Sequence, residues 1–372
     1  MKVVCVSCFD HYETRMKGII GYFQGKGYDV QYFITDFNHF SKSTYDVDYG
    51  CSKQIHVLPY SKNVSPRRLI SHYFFSKNIL KVIKKEKPDL IYCIIPPNSL
   101  VKLLGLYRKK FSNCRLILDV YDTWPESLPI SNPNLIIKTA FRYWANLRDH
   151  YINFADLLIS VSKSAKNDLY NKYKINVKVL MPAIAIGEMP NYKFDIKNRI
   201  SFCYLGNVNY ITDLELGTKI LSGIAQSKSV ELHIIGEGQN RDNWVETLTQ
   251  RGVKVICHGV VFDDDKKREI FEKCDMGLNI PKIEIKSSMA LKSVEYMRYG
   301  LPFINSGLGD NEEMVREFQI GINVKDGNVV EKVLSLDNND LIEMHSRAIK
   351  CYYEMFVKQD YDEIFSETIS SL

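Results

Sequence analysis

The chain has 372 residues, 45% hydrophobic, 25% charged and 12% aromatic, with 20 Gly and 12 Pro. This balance excludes a disordered or fibrous chain, and the length suits two domains that each bury a core. The net charge of +5 hides a split: residues 1–185 hold 27 Lys and Arg against 14 Asp and Glu, whereas residues 186–372 hold 22 against 30.

The amino terminus, Met1-Lys2-Val3-Val4-Cys5-Val6, enters a strand at once and lacks the features of a signal peptide. No run of about 18 uncharged apolar residues follows, so a cytosolic protein without a spanning helix is expected. β-branched runs at 3–7, 29–34, 54–58, 89–95, 115–120, 157–161 and 177–181 read as strands, with helical patterns filling most gaps. After a polar stretch at 190–198 the pattern restarts, with strands at 200–205, 230–235, 253–258, 276–280, 302–304 and 322–324. The order predicts an α/β fold of two doubly wound parallel sheets, residues 1–187 and 188–351. The aromatic tail 352–372, with Tyr352, Tyr353, Phe356, Tyr361 and Phe365, is expected to cross back to the first domain. Such sheets bind ligands at their carboxyl ends, so the expected site is the cleft where two such ends face each other.

Within the basic half, residues 67–87 place Leu69, Ile70, Tyr73, Phe74, Ile79, Leu80 and Ile83 at helical spacing among seven Lys and Arg. The pattern fits either a domain helix with solvated lysines or contact with an anionic membrane surface. Residues 102–110 and 138–148 add basic residues beside Phe141, Tyr143 and Trp144, in favour of the surface. No nucleic-acid motif occurs, and no nucleic-acid partner is expected. The nine cysteines are scattered and mostly apolar in surroundings, which suggests reduced core thiols, and Cys5-x-x-Cys8 has no second ligand pair. Asp263-Asp264-Asp265 reads as an acidic helix start rather than a metal motif, so no metal site is expected. Cys8-Phe9-Asp10-His11-Tyr12-Glu13 follows the first strand where a dinucleotide fold would carry Gly-x-Gly-x-x-Gly.

A family resemblance emerges from an ordered set: LILDVYDTWPES at 116–127, ADLLISVSKSAKNDL at 155–169, FCYLGNVNYITDLE at 202–215, LHIIGEGQNRDNW at 232–244, VICHGVV at 255–261 and LKSVEYMRYGLPFINS at 291–306. The chain resembles the retaining GT-B glycosyltransferases of family 4, group 1, especially those that build bacterial cell-surface polysaccharides. The resemblance implies two Rossmann-like domains facing across a cleft, an amino-terminal one for the acceptor and a carboxyl-terminal one for a nucleotide-sugar donor. It also implies two glutamates eight positions apart. Glu295 matches the second, on the nucleotide ribose, whereas Ser287 stands where the first is expected.

Ser287, Ser288, Met289, Ala290 and Leu291 would open the helix that carries Glu295, and its free N–H groups would hold the diphosphate without a metal. Lys292 is the cation expected to neutralise the leaving group. The Arg and Lys pair that relatives carry after this domain's first strand is absent; Gly206, Asn207 and Asn209 stand there, either as phosphate contacts or as turn residues. Gly236, Gly238, His258 and Gly259 lie at strand ends on the donor side, where glycine lets a base or ribose approach. On the acceptor side, Asp119 and Asp122 suit the handling of a hydroxyl proton, or else Asp122 caps the turn before Trp124. The expected activity is transfer of a sugar, with retention, to a lipid-linked oligosaccharide at the inner face of the plasma membrane, with the nucleotide sugar as co-substrate and no cofactor. The alternative is a catalytically reduced binding or scaffolding subunit of the same fold.

Overall fold

The computed structural model describes residues 1–39, 41–46, 50–62, 65–127, 134–182, 187–283 and 289–370. The chain divides into two compact units, Met1–Met181 completed by Asp360–Leu372, and Pro182–Gln359. The units thus part at 181, six residues before the expected 187, and the returning tail starts at 360 rather than 352.

The first unit contains β1 (Lys2–Ser7), α1 (Glu13–Gly25), β2 (Asp29–Thr35), β3 (Ser52–Ile55), α2 (Pro66–Glu86), β4 (Leu90–Ile95) and α3 (Asn98–Lys110). It continues with β5 (Arg115–Val120), α4 (Leu135–Asp149), β6 (Leu157–Ser160), α5 (Lys163–Tyr173) and β7 (Val177–Val179). All pairings in its sheet are parallel, in the order β3-β2-β1-β4-β5-β6-β7. Every residue of β4 is buried, as a parallel strand covered on both faces requires. Strand β3 ends before Val57, Leu58 and Pro59, so the expected strand at 54–58 is shifted towards the amino terminus; proline has no N–H to extend the ladder. The crossovers place α2, α3 and α4 on one face of the sheet, with α3 packed against both neighbours. Helix α2 starts where Ser65 accepts from the Arg68 amide at 3.3 Å and stops at Lys87, whose φ is 47°.

The second unit contains β8 (Arg199–Leu205), α6 (Leu214–Ala225), β9 (Ser229–Ile235), α7 (Arg241–Gln250), β10 (Val253–Gly259), α8 (Asp264–Phe271) and β11 (Met276–Asn279). It ends with α9 (Leu291–Arg298), β12 (Phe303–Asn305), α10 (Asp310–Phe318), β13 (Gly321–Asn323), α11 (Val329–Ser335) and α12 (Asn338–Tyr352). Its sheet is also parallel, in the order β10-β9-β8-β11-β12-β13, so both units are Rossmann-like. Asp263 caps α8 by accepting from the Lys266 amide at 2.9 Å, as an acidic helix start should.

Tyr352 and Phe356 stay in the second unit, whereas α13 (Tyr361–Ser370) returns to the first. Phe365 is fully buried there, 5.5 Å from the Phe23 ring, and Tyr22 donates to Asp362 at 2.8 Å. Cys5 and Cys8 are both buried, and burial pushes their thiols up, which keeps them protonated. Among the described residues no helix is long and apolar enough to cross a membrane.

Candidate functional site

In the second unit the loops after β8, β9 and β10 meet at the carboxyl end of the sheet. The Gly206 amide donates to Ile235 O at 2.9 Å, Val208 to Glu237 O at 2.8 Å and Gly236 to Gly259 O at 2.7 Å. A Cβ on Gly236 would lie 2.1 Å from Gly206 O, and one on Gly238 would lie 2.2 Å from Val208 O. Both glycines have positive φ, 143° and 151°, so in this structure they serve the close approach of loop to loop. Asn209 accepts from the Ile211 amide at 3.0 Å, a side-chain turn, and the Asn207 carbonyl accepts from Tyr204 at 3.1 Å while its side chain is exposed. His258 lies 3.0 Å from His233, ring stacked on ring, and desolvation lowers both below the usual imidazole range.

Lys292 reaches this floor from α9. Its Nζ sits 4.0 Å above the Tyr204 ring and 3.5 Å from where a Cβ on Gly206 would be. Among the described residues no carboxylate lies within ion-pair distance of it. Helix α9 begins at Leu291 with Ala290 at its N-cap; among the described residues no side chain caps it, and while the Ser293 amide turns back to the Ala290 carbonyl at 2.9 Å, the Leu291 and Lys292 amides are left for another acceptor. Met289 is buried and Leu291 is exposed. Ser287 and Ser288, with Glu284 and Lys286, lie outside the described residues.

Glu295, one turn further along α9, is held by two cations: Lys267 of α8 at 3.1 Å and Arg298 at 3.1 Å. Both cations also meet Asp264, each at 2.7 Å, which closes a ring of four charges between α8 and α9. Arg298 is the first cause of the low Asp264 carboxyl, brought down to about 2. The Glu295 side chain keeps 14% of its surface exposed, so the ring aims it and leaves part of it accessible.

In the first unit, the two strand-end carboxylates differ sharply. Asp119 is fully buried; Arg15 grips it with two bonds, at 2.5 and 2.8 Å, and the Tyr92 hydroxyl donates to it as well. The expectation that Asp119 meets an acceptor hydroxyl is therefore corrected: no face of it is free to reach one. Asp122 is only half-buried, and burial raises its carboxyl while Ser127 donates to it. It remains available as a proton acceptor.

Around it lies a cluster that the motifs did not reveal. Phe9 lies within 5.6 Å of His11, His39, His72 and Trp124, and the Arg68 guanidinium sits 4.0 Å over the Trp124 ring. Arg68 is 3% exposed, and among the described residues neither ring nitrogen of the buried His72 has a hydrogen-bond partner. Arg68 and His72 belong to the basic stretch expected to face solvent or lipid. Their shared face one turn apart, with Ser71 and Phe75 also inward, was the available signal. Among the described residues no three His, Cys, Asp or Glu side chains converge as a metal site requires.

Residues 13–184 match the model for Glycosyltransferase Family 4, and residues 199–338 match that for glycosyl transferases group 1. Among solved structures, the lipopolysaccharide outer core galactosyltransferase WaaB in its apo form is 16% identical, with a TM-score of 0.65 over all of this chain and 99% of that one. Alr3699/HepE of Anabaena in complex with UDP is 15% identical, with a TM-score of 0.65 and full coverage of both chains. The sucrose-phosphate synthase of Thermosynechococcus elongatus is 12% identical, with a TM-score of 0.70 over all of this chain and 98% of that one. No curated protein sequence matches the chain. The two parallel-sheet units and the full-length overlaps are those of the GT-B fold.

Proposed function

We propose, from the premise that this chain is a nucleotide-sugar-dependent glycosyltransferase, that it passes the sugar with retention to a lipid-linked oligosaccharide in surface-polysaccharide synthesis. The observation that carries the donor half of this reading is Lys292: an ammonium that, among the described residues, has no carboxylate partner, poised over the Gly206 loop beside the start of α9, which no described side chain caps. A diphosphate there would be met by amide dipoles and one cation, both of which stabilise the negative charge that grows on the leaving group. This arrangement calls for no metal or other cofactor. Glu295, aimed by Lys267 and Arg298, is the proposed ribose contact, with Gly236, Gly238, His258 and Gly259 on the nucleoside side. A uridine nucleotide is the first donor to try, since Alr3699/HepE is described in complex with UDP and with UDP-glucose.

On the acceptor side Asp122 receives or orients the hydroxyl proton, with Arg68 and His72 behind it. A lipid-linked acceptor and attachment to the inner face of the plasma membrane follow from the basic first unit and from exposed apolar residues on its helices: Leu69, Ile70, Tyr73 and Phe74 of α2, and Leu135 and Ile136 of α4. WaaB, of the same fold, is described as acting in the lipopolysaccharide outer core, which supports a surface glycan as the product.

Thermal melting with UDP-, GDP- and dTDP-sugars tests the donor assignment, because a ligand that binds only the native state raises the melting point. One nucleotide series is expected to do so, equally with and without EDTA. No shift with any series, or a shift only with added divalent metal, would overturn the proposed site.

A further inference from the structure

A cavity of about 740 Å³ opens between the carboxyl-terminal ends of α2 and α3, at the amino end of β4 and β5. It therefore lies at the opposite end of the sheet from Asp122 and Arg68. Leu80, Leu103, Leu106, Tyr107 and Phe111 give it an apolar floor, and the last two rings pack 4.6 Å apart. Leu106 and Phe111 remain 41% and 43% exposed, which is a large apolar area to leave in water.

Lys84, Lys87 and Lys110 rim the cavity, and none of them makes an ion pair among the described residues. The one carboxylate in the lining, Asp89, is engaged by the Lys2 amide at 2.7 Å. Lysines at two helix ends do complement the helix dipoles, but that role calls for no cavity between them. An apolar slot of this size with a cationic mouth fits a molecule that has a hydrocarbon tail and an anionic head. Solvated carbohydrate lacks the tail, and free phosphate would leave the leucines wet.

We propose that this groove binds one anionic phospholipid, with its phosphate among Lys84, Lys87 and Lys110 and its acyl chain over Leu103, Leu106 and Phe111. The proposal deepens the membrane contact put forward above, and gives it a discrete site distinct from a diffuse basic face.

Isothermal titration of the full chain with dihexanoyl phosphatidylglycerol, kept below its micelle concentration, tests it without any bilayer. Saturable binding at one site is expected, at least ten-fold tighter than for dihexanoyl phosphatidylcholine or glycerol 3-phosphate. Leu103→Trp fills the slot and Lys110→Glu reverses its rim; each should weaken binding ten-fold or more. Lys110→Glu is a surface change, so the test survives if Leu103→Trp fails to fold. Equal binding of glycerol 3-phosphate, tighter binding of an acidic Leu/Glu peptide, or undiminished binding by both variants would overturn the proposal. Sedimentation with anionic vesicles is read separately: lipid binding without sedimentation leaves the groove standing and fails the membrane reading, and sedimentation without lipid binding does the reverse.

Discussion

Asp119 and Asp122 are three residues apart, yet one is sealed against Arg15 and Tyr92 while the other sits half-exposed beside Ser127. Replacing Asp119 with Asn would leave a buried guanidinium without its charge partner, so a loss of about 3–5 kcal/mol is expected in urea unfolding. The strand-end position was legible in the sequence; the partner was not, because Arg15 stands 104 residues away and only the β1–β4–β5 pairing brings it near. Lys292→Ala removes a charge that acts on the leaving diphosphate, and turnover should fall about 10²–10³-fold with donor affinity changed far less. Initial-rate kinetics with the donor found by melting would check this; a pure rise in KM would count against it. Asp275 presents a pH test. Burial pushes its carboxyl up to about 6, although it accepts from the Ser201 amide at 2.7 Å. An unfolded Asp titrates near 3.9, so between about pH 4 and 6 the native state holds the extra proton and stability falls as pH rises. Asp275→Asn should abolish that slope, gaining on the parent by roughly 2–3 kcal/mol across the window and no further above it. Parallel unfolding curves of the two proteins from pH 4 to 8 would show otherwise.

The basic pattern of α2 concealed two different faces. Its inward row of Arg68, Ser71, His72, Phe75, Ile79 and Ile83 is one continuous helical stripe, yet its amino-terminal third is polar and belongs to the Asp122 neighbourhood. Hydrophobic periodicity alone assigns charged residues outward, so it places Arg68 on the solvent side although it is buried. The outward row keeps Lys81, Lys84 and Lys85 in solvent. Each basic residue near anionic lipid is worth about 1 kcal/mol, so reversing all three to Glu should abolish sedimentation with anionic vesicles, as high salt should weaken it. Equal partitioning to neutral vesicles would refute an electrostatic contact. Helices α8 and α9 show the converse: the helix that carries Glu295 was legible from the Lys292-to-Pro302 pattern, but Lys267 and Arg298, the cations that hold Glu295, were not. Glu295→Ala should weaken nucleotide binding ten-fold or more. The same variant breaks the four-charge ring, so its unfolding curve must be taken first; unchanged affinity in a folded Glu295→Ala protein would remove Glu295 from the site.

At the scale of the molecule, most strands among the described residues were legible as short apolar segments alternating with helical ones, although no helix separates β2 from β3 or β7 from β8. The point of division was less so: where 181 gives way to 182 depends on contacts such as those of Arg15 with the Leu180 and Met181 carbonyls, at 2.7 and 3.3 Å. Helix α13 shows what such connectivity entails. The first unit needs residues 360–372, whereas the second occupies the unbroken run 182–359. During synthesis the ribosome delivers the second unit whole while the first still lacks the helix that covers Phe23 and stacks on Tyr22. The part made first is thus completed only after the second unit, and the nascent chain carries an open apolar seam on α1 until residues 360–370 have been made.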